Sequence, residues 1–165
     1  MRKYLIALGF ALLINQVVVY AQNIKGNYAI KNMQTGMLLR VKDASNKNGT
    51  PLVAYDPQNW KCMTWNFIAV EGNTYQLKNL FTGKTFQPKP ADVVLEEQPL
   101  TLGSNNQQYE FEPAGKDIYF IRLKGTDLYV TPEDKKGTAN SAIILAKKAK
   151  TKDQQWKIYE QSPTM

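Results

Sequence analysis

Tyr28-Ala-Ile30-Lys-Asn32, Tyr75-Gln-Leu77-Lys-Asn79 and Tyr119-Phe-Ile121-Arg-Leu123 are three versions of one phrase. Their tyrosines stand 47 and then 44 residues apart. Thr35-Gly36, Thr82-Gly83 and Thr126-Asp127 fall at the same spacings. Each phrase reads as a strand, a turn and a second strand, because glycine tolerates positive φ and aspartate bonds back to its own backbone. The closing segments match as well: Trp65-Asn-Phe67, Tyr109-Glu-Phe111 and Trp156-Lys-Ile158 all run aromatic, polar, apolar. Such alternation marks a strand with one buried face.

Between opening and close lie Pro51-Leu-Val-Ala, Pro99-Leu-Thr-Leu and Ala142-Ile-Ile-Leu, each an apolar run of strand length. The count is four strands per repeat, with no helical period longer than a turn. The chain is therefore expected to be all-β, in repeats of about 45 residues over residues 25–70, 71–115 and 116–160. A propeller needs about four blades to close, and an open stack of three leaves bare edges. A closed threefold barrel has neither defect, whereas a two-layer sandwich also accommodates many short strands.

Composition removes several kinds of chemistry. The 165 residues include no histidine and one cysteine, with 21 Lys+Arg against 14 Asp+Glu. Ser-His-Asp and Cys-His catalysis, His-ligated zinc and an intrachain disulfide framework are all excluded. Cys62 reads as a small buried apolar residue. Glu96 and Glu97 are adjacent, so on a strand they point to opposite faces and make a poor acid–base pair. The loop from Asp43 has Lys47 at the fifth position of a calcium loop and Ala54 at the twelfth, where a glutamate is needed. No enzyme activity, cofactor or metal is expected.

Residues 1–21 read as a cleaved signal peptide: Arg2 and Lys3 precede the apolar run Leu5–Leu13, and Val19-Tyr-Ala21 offers small residues at the cleavage positions. Asn15 and Gln16 cut the run short of the ~20 residues of a membrane span. Residues 22–165 would then form a single domain, secreted or periplasmic, with no membrane span. Removing Arg2 and Lys3 takes the formal charge from +7 to +5. Nucleic acid is not the expected partner of an exported protein, and the basic run Lys147-Lys148-Ala-Lys150-Thr-Lys152 reads as a solvated loop.

The repeat closings resemble the ricin-type β-trefoil lectin family. Its Gln-x-Trp signature is whole at Gln154-Gln-Trp156, has tyrosine at Gln107-Gln-Tyr109 and has methionine at Met63-Thr-Trp65. The resemblance implies a β-trefoil, six strands in a barrel and six capping it, with Trp65, Tyr109 and Trp156 facing the core. It also implies a glycan or polysaccharide as partner.

In that family each repeat can supply an aspartate at the end of its second strand, an aromatic after its third, and an asparagine just before Gln-x-Trp. Here the aspartate position falls on Arg40, Gln87 and Thr131. The asparagine position falls on Cys62, Asn106 and Asp153, and the aromatic is kept only at Tyr55. The first repeat offers substitutes: Asp43 opens a polar loop, and Tyr55-Asp56-Pro-Gln-Asn59-Trp60 gathers two aromatics with polar acceptors. Trp60 has no counterpart in the other repeats and reads either as a lid over the core or as a binding platform. The candidate sugar contacts are Asp43, Tyr55, Asp56, Asn59, Trp60 and Asn106. The expected function is a secreted, non-catalytic carbohydrate-binding module. The alternative is a trefoil without sugar sites that serves as a protein-interaction or inhibitory scaffold.

Overall fold

The computed structural model describes residues 23–164, so the expected signal segment lies outside the described residues. These residues form twelve strands in three sets of four. The first set is β1 (Gly26–Asn32), β2 (Leu38–Val41), β3 (Leu52–Tyr55) and β4 (Trp65–Glu71). The second is β5 (Thr74–Asn79), β6 (Thr85–Pro88), β7 (Leu95–Gln98) and β8 (Tyr109–Gly115). The third is β9 (Ile118–Leu123), β10 (Leu128–Pro132), β11 (Ile143–Lys147) and β12 (Gln155–Glu160). The only helical segments among the described residues are 3-10 turns of three residues each.

Antiparallel pairing closes a ring: β1–β4, β4–β5, β5–β8, β8–β9, β9–β12 and β12–β1. Closure leaves this six-stranded barrel without a free edge. The hairpins β2–β3, β6–β7 and β10–β11 cap one end. They touch pairwise through single bridges, Pro51 to Glu96, Val53 to Ala142 and Val94 to Ile144. The fold is a β-trefoil.

Register explains why the tyrosine and the later aromatic recur together. Tyr28 lies opposite Trp65, Tyr75 opposite Tyr109, and Tyr119 opposite Trp156. The last member of each pair is fully buried. Each also bonds a cap-hairpin carbonyl: Trp65 Nε1 donates to Leu39 O (3.2 Å), Trp156 Nε1 to Val130 O (2.9 Å), and the Tyr109 hydroxyl to Phe86 O (3.2 Å). The tyrosine is thus a working substitute, because a donor at the ring's far end meets the equivalent carbonyl. Further down the axis, Phe67 and Phe111 meet edge to face at 5.1 Å, with Tyr75 about equally far from both.

The repeats are also stitched in sequence. Met33 N donates to Gln155 O, Leu80 N to Thr64 O, and Lys124 N to Gln108 O, so each first turn docks on the preceding strand of the ring. Asn32 reinforces this. Its Nδ2 donates to Asp153 O (2.8 Å), and its Oδ1 accepts from the backbone N–H groups of Gln34 and Thr35. Asn79 does the same with Cys62 O, Phe81 and Thr82. The third repeat has Leu123 there, and its turn tightens: Thr126 N donates to Leu123 O, and the positive φ falls on Gly125 rather than at Asp127. Asn32→Leu is expected to cost about 2 kcal/mol in urea unfolding, since it orphans a buried carbonyl and two turn N–H groups. A loss under about 0.5 kcal/mol would mean that the backbone alone holds the turn.

One expectation fails. The third strand of the second repeat is Leu95-Glu-Glu-Gln98, and Pro99-Leu-Thr-Leu102 forms the following loop, with Leu102 the most exposed large apolar residue described. Pairing with β6 sets the register: Phe86 faces Glu97 and Gln87 faces Glu96. The equivalents of Leu95 and Glu97 are Leu52 and Ala54 in β3, both buried. Glu97 therefore occupies a core position. It is fully buried, accepts a bond from Thr82 Oγ1 (2.5 Å) on one oxygen, and has no partner for Oε2. Desolvation pushes its pKa up to about 7, against the bond from Thr82 and the field of Lys84.

Candidate functional site

The site follows from what happens at one position of the second strand. Arg40, Gln87 and Thr131 are equivalent, each one residue past the carbonyl that receives a core aromatic. In the second repeat Gln107 Nε2 donates to Gln87 Oε1 (2.9 Å) and to Pro99 O, while its Oε1 accepts from Thr101 N. In the third repeat Gln154 Nε2 donates to Thr131 Oγ1 (3.1 Å) and to Lys147 O, while its Oε1 accepts from Ala149 N. The glutamine of Gln-x-aromatic thus ties the second strand to the loop ahead. In the first repeat its place is taken by Met63, fully buried and without an amide. Arg40 is left untied.

Around Arg40 the chain forms a concavity of about 330 Å³, walled by Arg40, Ala44, Trp60, Lys61, Cys62 and Phe81. Arg40 is 8% exposed. Its guanidinium carbon sits 4.1 Å from the centre of the Tyr55 ring and 5.8 Å from that of Trp60, and the two rings are 6.3 Å apart. Trp60 is half-buried and packs on the core while walling the concavity. Phe81 comes from the second repeat, placed by the turn that Asn79 holds, and is 49% exposed. Ala44 is held at φ +49 in a left-handed turn that brings its small side chain to the wall. Cys62 is a buried free thiol.

The expected contacts separate. Tyr55 and Trp60 converge on Arg40. Asp43 is exposed beside Ala44 and is not part of the wall, and Asp56 is exposed just past β3. Asn59 turns away: its Nδ2 donates to Ser162 O (3.1 Å), and it lines a second, shallower depression with Pro57, Gln58 and residues 159–162. Asn106 is exposed in the second repeat, its Oδ1 accepting from Ser104 Oγ. Of the residues that wall the concavity, Arg40, Ala44, Lys61, Cys62 and Phe81 are the ones that sequence reading did not select as contacts. For Arg40 a signal existed, a cation where an acid was sought.

The lysine run is partly engaged. Lys148 Nζ bonds Glu112 Oε2 (2.6 Å) and lies 4.9 Å from the ring centres of Phe120 and Tyr129. Arg122 pairs with Glu110 and Glu112. Desolvation pushes the Glu112 carboxyl up, but bonds from Lys148, Tyr129 and Arg122 outweigh it and hold the group below the ordinary carboxylate range. No cluster of three or more His, Cys, Asp or Glu side chains able to hold a metal occurs among the described residues. No helix among them is long and apolar enough to cross a membrane.

Residues 15–88 and 56–147 match the ricin-type beta-trefoil lectin domain-like family. The chain belongs to that family. Among solved structures, a designed threefold-symmetric protein, ThreeFoil, superposes with a TM-score of 0.76 at 18% identity, over 81% of this chain and 98% of its own. An exo-beta-1,3-galactanase from Clostridium thermocellum gives 0.74 at 21% identity, over 84% of this chain and 31% of the enzyme. A Macrolepiota procera ricin B-like lectin, solved in complex with lactose, gives 0.66 at 18% identity, over 82% of this chain and 96% of the lectin. At these identities the likeness is one of fold. No curated protein matches the chain. Within this ricin-type trefoil, then, the first repeat departs from the signature at Met63, which is fully buried, and from the acid position at Arg40, which lines the concavity.

Proposed function

We propose that this chain is an exported, non-catalytic carbohydrate-binding module whose site is the first-repeat concavity. The observation that carries the reading is the release of Arg40 by Met63, which leaves aromatic faces around an open hollow, whereas Gln87 and Thr131 are tied to glutamines. Sugar rings present C–H faces that stack on aromatic side chains and hydroxyls that take hydrogen bonds, and Trp60 and Phe81 supply such faces. The lactose complex of the Macrolepiota procera lectin supports the same reading by family likeness. The export half rests on the basic start and apolar run of residues 2–13. The lack of histidine, with Glu97 buried in the cap, supports a binding rather than a catalytic role.

A glycan array with the unaltered chain and Trp60→Ala tests this. Binding is expected for the unaltered chain and is expected to fall at least tenfold in Trp60→Ala, with the far-ultraviolet circular dichroism of the two unchanged. Binding that survives Trp60→Ala would move the site elsewhere. An array blank at high protein concentration would remove the carbohydrate reading and leave a protein-interaction scaffold in its place.

A further inference from the structure

We propose that the first-repeat concavity takes the negatively charged group of an acidic glycan, a carboxylate or a sulfate ester, on the guanidinium of Arg40. The inference rests on the carbohydrate reading and narrows its ligand class. Arg40 is 8% exposed, yet among the described residues its side chain makes no hydrogen bond and no ion pair, and its Nε is buried without an acceptor. The ion pairs found among those residues use Arg122, Lys124, Lys135 and Lys148. A buried charge without an opposite charge or an acceptor is costly. The rings of Tyr55 and Trp60 offset part of that cost through their negative faces but offer no acceptor comparable to a carboxylate oxygen.

The surroundings point the same way. The concavity has two cationic members, Arg40 and Lys61, and no acidic one. Asp43, the carboxylate nearest in sequence to the wall at Ala44, is exposed and pairs with neither. The other members are Ala44, Trp60, Cys62 and Phe81, and apolar walls strengthen a charge interaction made between them. Guanidinium presents parallel N–H groups that match two oxygens of a carboxylate or sulfate. A family acid at this position would accept bonds from sugar hydroxyls; the arginine reverses the polarity and asks for an acceptor. Trp60 or Phe81 would then carry the sugar ring while Arg40 holds the charge.

The probes are methyl β-galacturonide, its methyl ester, methyl β-galactoside and galactose 6-sulfate, titrated into the full chain. Tryptophan fluorescence serves as the readout, because Trp65 and Trp156 are fully buried and Trp60 is the tryptophan at the site. At least one anionic probe is expected to bind at least tenfold more tightly than the ester and the galactoside. Preference for the uronide alone assigns a carboxylate, and for the sulfate alone a sulfate ester. The preference is expected to vanish in Arg40→Gln and to shrink severalfold in Arg40→Lys, which keeps the charge without the fork. Equal affinity for uronide and ester overturns the inference while leaving the carbohydrate reading standing, and this comparison needs no variant. An acid preference unchanged in Arg40→Gln also overturns it. If no probe binds, the inference falls, and the glycan array decides the broader reading separately.

Discussion

Trp156→Ala is expected to lower the free energy of unfolding by about 3–5 kcal/mol, the range for deleting a buried tryptophan. The side chain is fully buried, stands opposite Tyr119 in the barrel, and donates from Nε1 to Val130 O at 2.9 Å. Truncation opens a cavity between barrel and cap and orphans that carbonyl. Since domains are stable by only about 5–15 kcal/mol, the loss is a large share of the total. Trp156→Tyr imitates what Tyr109 already does with Phe86 O, and is expected to cost less than half as much. Trp60→Ala is expected to cost about 1–2 kcal/mol, because the ring is only half-buried. Urea unfolding of the three variants provides the check. Equal losses for Trp156→Ala and Trp60→Ala would deny the periodic aromatics their role as the plug of the barrel.

That contrast marks what could be read from sequence. The threefold period was legible because the physics repeats: a tyrosine faces an aromatic that bonds a cap carbonyl, in Tyr28–Trp65, Tyr75–Tyr109 and Tyr119–Trp156 alike. Burial fixes such positions to large rings, and their spacing survives changes of loop length. The third strand of the second repeat was not legible, because Leu95-Glu-Glu-Gln98 lacks the apolar run of its counterparts and Pro99-Leu-Thr-Leu102 has one. A loop with two leucines, one half-buried and one exposed, imitates a strand in one dimension; only pairing with β6 settles the choice. The site was half legible. Tyr55 and Trp60 were singled out as aromatics in a polar loop, and they do converge. Arg40 read only as a missing aspartate, because its meaning depends on Met63. Those two residues are 23 positions apart, and each looks like an ordinary loss of motif until the glutamines at 107 and 154 are seen to tie down Gln87 and Thr131. Phe81 belongs to another repeat, and no spacing within the first repeat could have called it in.

The same mismatch between local chemistry and buried position gives Glu97 its expected effect. Its pKa in the folded chain is about 7, raised chiefly by desolvation, against about 4.5 in the unfolded chain. Below about pH 4.5 both states hold the proton, and the group leaves stability untouched. Between about 4.5 and 7 the unfolded chain has released the proton while the folded chain keeps it, so the folded state binds more protons and stability falls as pH rises. Above about pH 7 the loss is complete, on the order of 3 kcal/mol for a shift of this size. Lys84 does not neutralise the carboxylate, because its ammonium is bonded to Asn46 O. Glu112 and Asp153 act in the opposite sense, since their pKa values are lowered and their contribution is lost only as the solution becomes strongly acidic. Glu97→Gln isolates the effect. The amide keeps an oxygen for Thr82 Oγ1 and stays neutral at every pH, and any fixed cost of burying its N–H groups cancels when slopes are compared. Urea unfolding from pH 4.5 to 8 is expected to show the unaltered chain losing on the order of 3 kcal/mol relative to Glu97→Gln, with the change centred between the two pKa values. Parallel stability curves for the two proteins would show that Glu97 ionises in the fold as freely as in water, and that the cap admits solvent where the structure closes it.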